Sequence, residues 1–301
     1  MSDALFQTKS AIRRLLEARG LSPRKRFGQN FLIDRHLMGK LVDAADIGPN
    51  DCVIEVGAGT GSLTGLLTAS AGRVVAVEID PNLAAIAGEQ NSGATNLSVL
   101  QLDALQDKST LAPEFTAAVR AAFSQVSGVL MLVANLPYDI ATPLVIDLLL
   151  SSLPLRRMCF AVQSEVGNRF LAAPSSGAFG PASVVIQALA TVRRVCQAPP
   201  EAFWPVPKVS TTMLRVDIRE DCRIGPDEAA GFARFVRGFF QHRRKTMSHN
   251  AKRSPSGPRV LEGMASLGIE PNARPEELTV DQWTSLFACS LGTESGPSPP
   301  H

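Results

Sequence analysis

The tetrapeptide Asn135-Leu136-Pro137-Tyr138 joins residue types that suit one task, the activation of an exocyclic amine on a nucleobase. Such an amine is a poor nucleophile because its lone pair is delocalised into the ring. Two hydrogen-bond acceptors, one for each N–H, favour a tetrahedral nitrogen whose lone pair points outward. The Asn135 side-chain oxygen and the Leu136 carbonyl are suitable acceptors, and Pro137 restricts the backbone that holds them. Tyr138 offers a ring on which an extruded base can stack. With a sulfonium as the leaving group, in-line positioning supplies most of the rate, and neither a metal nor a strong general base is required. The plainer reading is a proline turn ahead of a helix that begins near Thr142.

Three other clusters fit the same chemistry. In Glu55-Val-Gly57-Ala-Gly59-Thr-Gly61 the glycines let the backbone pass close to a bound nucleoside with no Cβ in the way. The spacing Gly-x-Gly-x-Gly differs from the dinucleotide fingerprint Gly-x-Gly-x-x-Gly, and a nicotinamide dehydrogenase gives no account of Asn135 to Tyr138. Glu78 follows about twenty residues later, where a carboxylate can accept from both ribose hydroxyls of an adenosine. Asp103 is placed to accept from an adenine amino group; read alone, it fits a loop acid equally well.

These residues need strands and helices to hold them. Cys52–Val56, Arg73–Val77, Leu97–Leu102, Val129–Ala134 and Met158–Val162 read as short buried strands, apolar on both faces. Helix-length segments separate them, including Ser62–Ser70 and the stretch opened by Pro81. That alternation predicts an α/β fold with a mostly parallel sheet covered on both sides. In such a sheet ligands bind beyond the carboxyl ends of the strands, where all four clusters fall. Ala188–Gln197 and Thr211–Ile218 are expected to pair as a terminal antiparallel hairpin. After Asp221 the pattern turns helical, over 227–250, 260–268 and 275–291. The expected organisation is an amino-terminal arm plus catalytic domain over 1–221, a small all-α domain over 222–291, and a Ser/Pro/Gly-rich tail over 292–301 with no fixed structure.

Composition narrows the class further. With 301 residues, 45% apolar and 19% charged, the chain reads as a globular enzyme rather than a disordered one. The net charge of +2 hides an uneven distribution. Seven basic residues and one acid lie between Lys9 and Arg26, and eight basic residues and no acid between Gly231 and Val260. These segments suit a polyanion partner, and equally two solvated helix faces. The cysteines at 52, 159, 196, 222 and 289 are odd in number and never in Cys-x-x-Cys spacing, which argues against a disulfide framework or structural zinc and fits a reducing cytoplasm. No apolar run approaches about 18 residues, so no membrane span is expected. The start of the chain lacks the basic-then-apolar layout of a signal peptide.

Taken together, the motifs resemble the bacterial small-subunit (16S) rRNA adenine N6,N6-dimethyltransferase family of the KsgA/RsmA type. Arg26-Phe-Gly-Gln29-Asn30-Phe-Leu32, Glu55 to Gly59, Val77-Glu78-Ile-Asp80, Asp103-Ala104, Asn135 to Tyr138, Phe203-Trp-Pro-Val-Pro207-Lys-Val-Ser210 and Arg243-Arg-Lys-Thr246 stand in the family's order and spacing, from about Arg24 to Leu291. The resemblance implies a Rossmann-like class I methyltransferase sheet and S-adenosylmethionine as methyl donor, with no metal. It implies dimethylation of two adjacent adenines in the 3′-terminal hairpin loop of 16S rRNA within a pre-30S subunit, by a cytoplasmic monomer. By motif, Asn30 and Leu32 would close over the donor, Gly57 and Gly59 would line it, Glu78 would hold its ribose and Asp103 its adenine. Asn135 would sit between donor and target, and Phe203 would face Tyr138 across the base. Arg24, Lys25, Arg26, Arg243, Arg244 and Lys245 would grip RNA phosphates.

Two departures accompany the match. Asp139-Ile-Ala141 follows Tyr138 where the family usually has Asn and then Ile-Ser, and Phe179-Gly180 replaces a Tyr-Gly. Two rival readings stand beside this one. The first is a 23S rRNA methyltransferase of the macrolide-resistance type, whose tetrapeptide more often carries Ile in place of Leu136. The second is a non-catalytic assembly or nucleic-acid-binding factor, against which the intact Gly57, Glu78 and Asn135 speak.

Overall fold

A computed structural model describes residues 7–24, 28–107 and 109–292. It opens with helix α1 (Lys9–Glu17), strand β1 (Phe31–Leu32) and helix α2 (Arg35–Ala45). The α/β alternation follows: β2 (Cys52–Val56), α3 (Ser62–Ser70), β3 (Arg73–Glu78), α4 (Pro81–Gln90) and β4 (Leu97–Gln101). A small ribbon, β5 (Leu105–Asp107) and β6 (Thr110–Leu111), precedes α5 (Pro113–Phe123), β7 (Leu130–Asn135), α6 (Ala141–Leu150) and β8 (Leu155–Gln163). Next come α7 (Ser164–Phe170), α8 (Pro181–Leu189), β9 (Ala190–Ala198), β10 (Phe203–Trp204) and β11 (Thr211–Ile218). The carboxyl-terminal helices are α9 (Ala229–Phe240), α10 (Met247–Ala251), α11 (Gly257–Ser266) and α12 (Val280–Leu291).

Among the described residues seven strands form the central sheet, in the order β4-β3-β2-β7-β8-β11-β9. The pairs β2–β3, β3–β4, β2–β7 and β7–β8 are parallel, and β11 runs antiparallel to β8. Every residue of β2 is buried, as is β7 up to its last residue. That is why these segments read as unbroken apolar runs rather than alternating ones. Leu37, Met38 and Leu41 of α2 and Leu63, Leu66 and Leu67 of α3 pack with Val53, Val74, Met131 and Val133 of the sheet in one core cluster.

The chain moves from β2 outward to β4, then returns to place β7 on the other side of β2. The carboxyl ends of β2 and β7 are thus neighbours at the point where strand order reverses, the position at which open parallel sheets bind ligands. The glycine-rich segment leaves one of these ends and Asn135–Tyr138 the other.

The chain divides into two compact units, residues 1–167 with 192–218, and residues 168–191 with 219–301. The expected boundary near Asp221 lies close to the last crossing. The excursion at 168–191 was not expected: α8 packs with α9 and α12 in the second unit. In that unit Phe232, Phe235, Phe239, Phe287 and Trp283 form an aromatic cluster with ring centroids 4.9–6.1 Å apart. Gly292 closes α12 in a left-handed conformation at φ 81°, and the expected unstructured tail otherwise lies outside the described residues. The helical span expected over 227–250 is two helices, broken between Phe240 and Met247.

Candidate active site

Asn135 is the last residue of β7. Its Nδ2 donates to the Asn30 carbonyl at 2.9 Å, which fixes the orientation of the amide. That leaves Oδ1 buried and without a hydrogen-bond partner among the described residues. A buried unpaired acceptor costs about 1–3 kcal/mol, so its retention marks a place where a donor is expected to arrive. Asn30 is steadied in turn by its own Nδ2, which donates to the Gly28 carbonyl at 3.0 Å.

The rest of the tetrapeptide is held from several sides. Leu136 N–H donates to the Ala161 carbonyl of β8 at 3.2 Å, and Ile140 N–H closes a turn onto the Pro137 carbonyl at 3.3 Å. The Tyr138 hydroxyl shares a hydrogen bond of 2.8 Å with Thr211 Oγ1 of β11. Burial pushes the Tyr138 phenol up from its ordinary value, with Thr211 pulling it back. The ring is therefore neutral at physiological pH and anchored at its tip.

The glycine segment reaches the same cleft. Gly57, Gly59 and Gly61 have φ values of 84°, 57° and 82°, a region that disfavours any other residue. A Cβ at Gly57 would stand 3.0 Å from Pro137 Cδ, and one at Gly59 would stand 3.1 Å from the Phe31 ring. Glycine here thus serves close approach of two loops as well as backbone conformation. Glu78 is buried and takes two backbone N–H groups, from Gly59 at 2.8 Å and from Asp80 at 3.0 Å. Burial raises its pKa, while the hydrogen bonds from Asp80 and Gly59 oppose that rise. Each carboxylate oxygen keeps a free lone pair for an incoming hydroxyl. Asp103 is exposed, and its Oδ1 accepts from Leu105 N–H at 3.0 Å.

Asn30, Leu32, Gly57, Gly59, Glu78, Asp103 and all four residues from Asn135 to Tyr138 line one cleft of about 240 Å³. That volume and an apolar wall with a few converging polar groups suit a nucleoside-sized ligand. Among the described residues no group of three or more His, Cys, Asp or Glu side chains is arranged to hold a metal.

One expected position comes out differently. Phe203 does not line the cleft with Tyr138. It is fully buried in the core with Leu32, Met38 and Met213. Strand β10 pairs antiparallel with β1, Leu32 opposite Phe203, and this fixes the position of the ring; the neighbouring Trp204 stacks on Phe31 instead. Arg24 forms an ion pair of 3.2 Å with buried Asp80, and its N–H donates to Gln29 Oε1 at 2.7 Å, so it braces the cleft. Lys25 and Arg26 lie outside the described residues. Arg244 and Lys245 are exposed, whereas Arg243 reaches Glu276 at 3.6 Å within its own unit.

Sequence reasoning missed Gln7 and Ile12, because an arm ahead of the sheet carries no periodic signal of what it packs against, and it gave Thr60 no role within the glycine motif. It placed Glu55 and Gln29 inside motifs without giving them roles. Glu55 lines the cleft, accepts from Thr64 Oγ1 at 2.6 Å, and is pushed up to about 8 by burial. Gln29 Nε2 donates to Asp80 Oδ2 at 3.4 Å.

A switch-point cleft in a sheet of this order, closed by an antiparallel edge, is the architecture of Rossmann-like class I methyltransferases. Solved structures bear out the fold. A dimethyladenosine transferase from Plasmodium falciparum superposes with a TM-score of 0.68 at 22% identity, covering 84% of this chain and 94% of that one. The 23S rRNA methyltransferase ErmE gives 0.62 at 22% identity, covering 86% and 98%. Among curated proteins, the ribosomal RNA small subunit methyltransferase A of Magnetococcus marinus is 38% identical over 94% of this chain and 98% of its own. The protein of the same name from Moorella thermoacetica is 36% identical over 90% and 94%. Residues 20–290 match the family described as ribosomal RNA adenine dimethylase, and the chain belongs to that family.

Proposed function

We propose that this enzyme uses S-adenosylmethionine to dimethylate N6 of two adjacent adenines in the 3′-terminal hairpin loop of 16S rRNA, acting on a pre-30S subunit in the cytoplasm as a monomer. The observation that carries the reading is the buried Asn135 Oδ1, an acceptor with no partner among the described residues in a nucleoside-sized cleft. The small-subunit substrate rests on the two curated relatives, which align with this chain over nine-tenths or more of their own length.

The residues present fit the donor. Gly57 and Gly59 leave the cleft wall free of side chains, Glu78 offers lone pairs to ribose hydroxyls, and Asp103 offers one to an adenine amine. Asn30 and Leu32 close the other side. When bound, S-adenosylmethionine supplies an electrophilic methyl on a good leaving group. The protein's own part is to hold the target nitrogen. At the first transfer Asn135 Oδ1 and the Leu136 carbonyl accept its two N–H bonds and at the second the one that remains, the amine proton leaving to solvent after each, while Tyr138 stacks the base. Arg244 and Lys245, with Arg243, Lys25 and Arg26, bind RNA phosphates.

The test is transfer from labelled S-adenosylmethionine to small and large ribosomal subunits taken from cells that lack the protein. Dimethyladenosine is expected in the small-subunit RNA and not in the large. Asn135→Ala is expected to lower the rate about a hundredfold or more, the scale of losing one group that stabilises a transition state. Label in the large subunit alone would sink the small-subunit assignment.

A further inference from the structure

The arm ahead of the sheet is bonded, at its first described residue, to two residues that line the donor cleft. Gln7 stands just before Thr8, whose hydroxyl caps α1 by accepting from Ala11 N–H at 3.3 Å. Although it lies at the start of an arm, Gln7 is only 8% exposed. Its Nε2 donates to the Thr60 carbonyl at 2.8 Å, and Thr60 Oγ1 donates to Gln7 Oε1 at 2.6 Å. Its backbone N–H donates to Ser62 Oγ at 3.4 Å. The amide nitrogen thus meets a carbonyl and the amide oxygen meets a hydroxyl, an arrangement that works in one orientation of the side chain only.

Thr60 lies between Gly59 and Gly61, and glycines on both sides leave the segment little intrinsic restraint. Thr60 and Ser62 both line the cleft, as does Ile12 of α1. Ile12 is fully buried and packs with Phe31, Leu83 and Ile86. The arm therefore forms part of the cleft wall and supplies the side chain that fixes the middle of the glycine segment.

We propose that Gln7 is a positioning residue for donor binding, latching Thr60 so that the Gly57–Gly61 segment keeps the shape that receives S-adenosylmethionine. This rests on the function proposed above. The latch acts on donor affinity and leaves methyl transfer from the bound donor untouched.

The experiment measures S-adenosylmethionine binding by calorimetry, and methyl-transfer kinetics, for the full chain and for Gln7→Ala and Gln7→Glu. An ionised Glu keeps the size of Gln and its acceptor for the Thr60 hydroxyl but cannot donate to the Thr60 carbonyl. A role in packing alone would leave donor affinity unmoved in Gln7→Glu. For both variants the donor Kd and KM are expected to rise about tenfold, with kcat at saturating donor and KM for RNA within about twofold of the parent. Circular dichroism and Tm identify folded protein, and Gln7→Glu carries the test where Gln7→Ala does not fold. Parent-like donor Kd in both variants, or a fall in kcat at unchanged Kd, would overturn the latch alone. A parent protein that takes up no S-adenosylmethionine would overturn the latch and the proposed function together.

Discussion

Glu55 and Glu78 stand at the carboxyl ends of adjacent parallel strands, both buried, yet their surroundings differ. Glu78 has two backbone N–H groups to support its charge, and Glu55 has one hydroxyl, from Thr64. Burial lifts Glu55 from its ordinary 4.5 to about 8, with Thr64 opposing and Glu78 adding to the rise. At neutral pH Glu55 is thus a protonated acid, while Glu78 has the better support for a carboxylate. A carboxyl whose pKa is raised by folding contributes stability that is present below its unfolded value and is lost as pH climbs through its folded value. Between pH 4.5 and about 8 the unfolded chain releases this proton and the folded chain keeps it. The Tm of Glu55→Gln minus that of the parent should therefore grow from pH 4.5 to 8 and level off above. A difference that stays flat across this range in thermal melts would contradict a protonated Glu55.

At the scale of elements, the site is a meeting of two strand ends, and Gly57 shows how closely they meet. Its φ of 84° and the 3.0 Å that would separate a Cβ from Pro137 act on the same residue. Gly57→Ala strains the backbone and pushes on the turn that carries Asn135, so about 1–2 kcal/mol of stability should disappear. That corresponds to a Tm lower by about 2–8 °C, with methyl transfer down about tenfold or more. Gly88→Ala is the control: it lies within α4 and a Cβ there meets nothing within 4 Å, so it should be neutral or slightly stabilising. A drop in Tm in both variants alike would detach the effect from the turn. Much of this is legible in the sequence. The runs at Cys52–Val56, Arg73–Val77 and Val129–Ala134 are apolar because both faces of a parallel sheet are covered, and their polar ends mark the cleft directly. Phe203 is misplaced by its motif because a motif fixes order along the chain but not the direction of a ring; the β1–β10 pairing decides that, and two-residue strands leave no pattern. Gln7 escapes a sequence reading because its partner Thr60 lies 53 residues away, and no local rule links them. The excursion at 168–191 escapes it because α8 is apolar on most sides, like the helices that cover the sheet.

At the scale of the whole molecule, each unit carries one basic run. The first unit holds the cleft, and its Arg24 is tied to buried Asp80. The second carries the run from Gly231 to Val260 with eight basic residues and no acid. Within that run Arg243 is engaged by Glu276, whereas Arg244 and Lys245 are exposed. Bound phosphates displace counterions, so each phosphate left unbound lowers the dependence of affinity on salt by about 0.7–0.9 in logarithmic slope. Arg244→Glu with Lys245→Glu should weaken binding of small-subunit RNA by at least about tenfold and reduce that slope by roughly 1.4–1.8, measured by filter binding from about 50 to about 300 mM salt. S-adenosylmethionine affinity should not change, since the residues proposed to bind it all belong to the first unit. If the pair is instead merely solvated, as the alternative of solvated helix faces left open by composition would have it, RNA affinity will fall slightly and the salt slope will stay where it was. The slope decides between the two because it reports how many phosphates the protein neutralises, whereas a general weakening of the fold would reduce binding equally at every salt concentration.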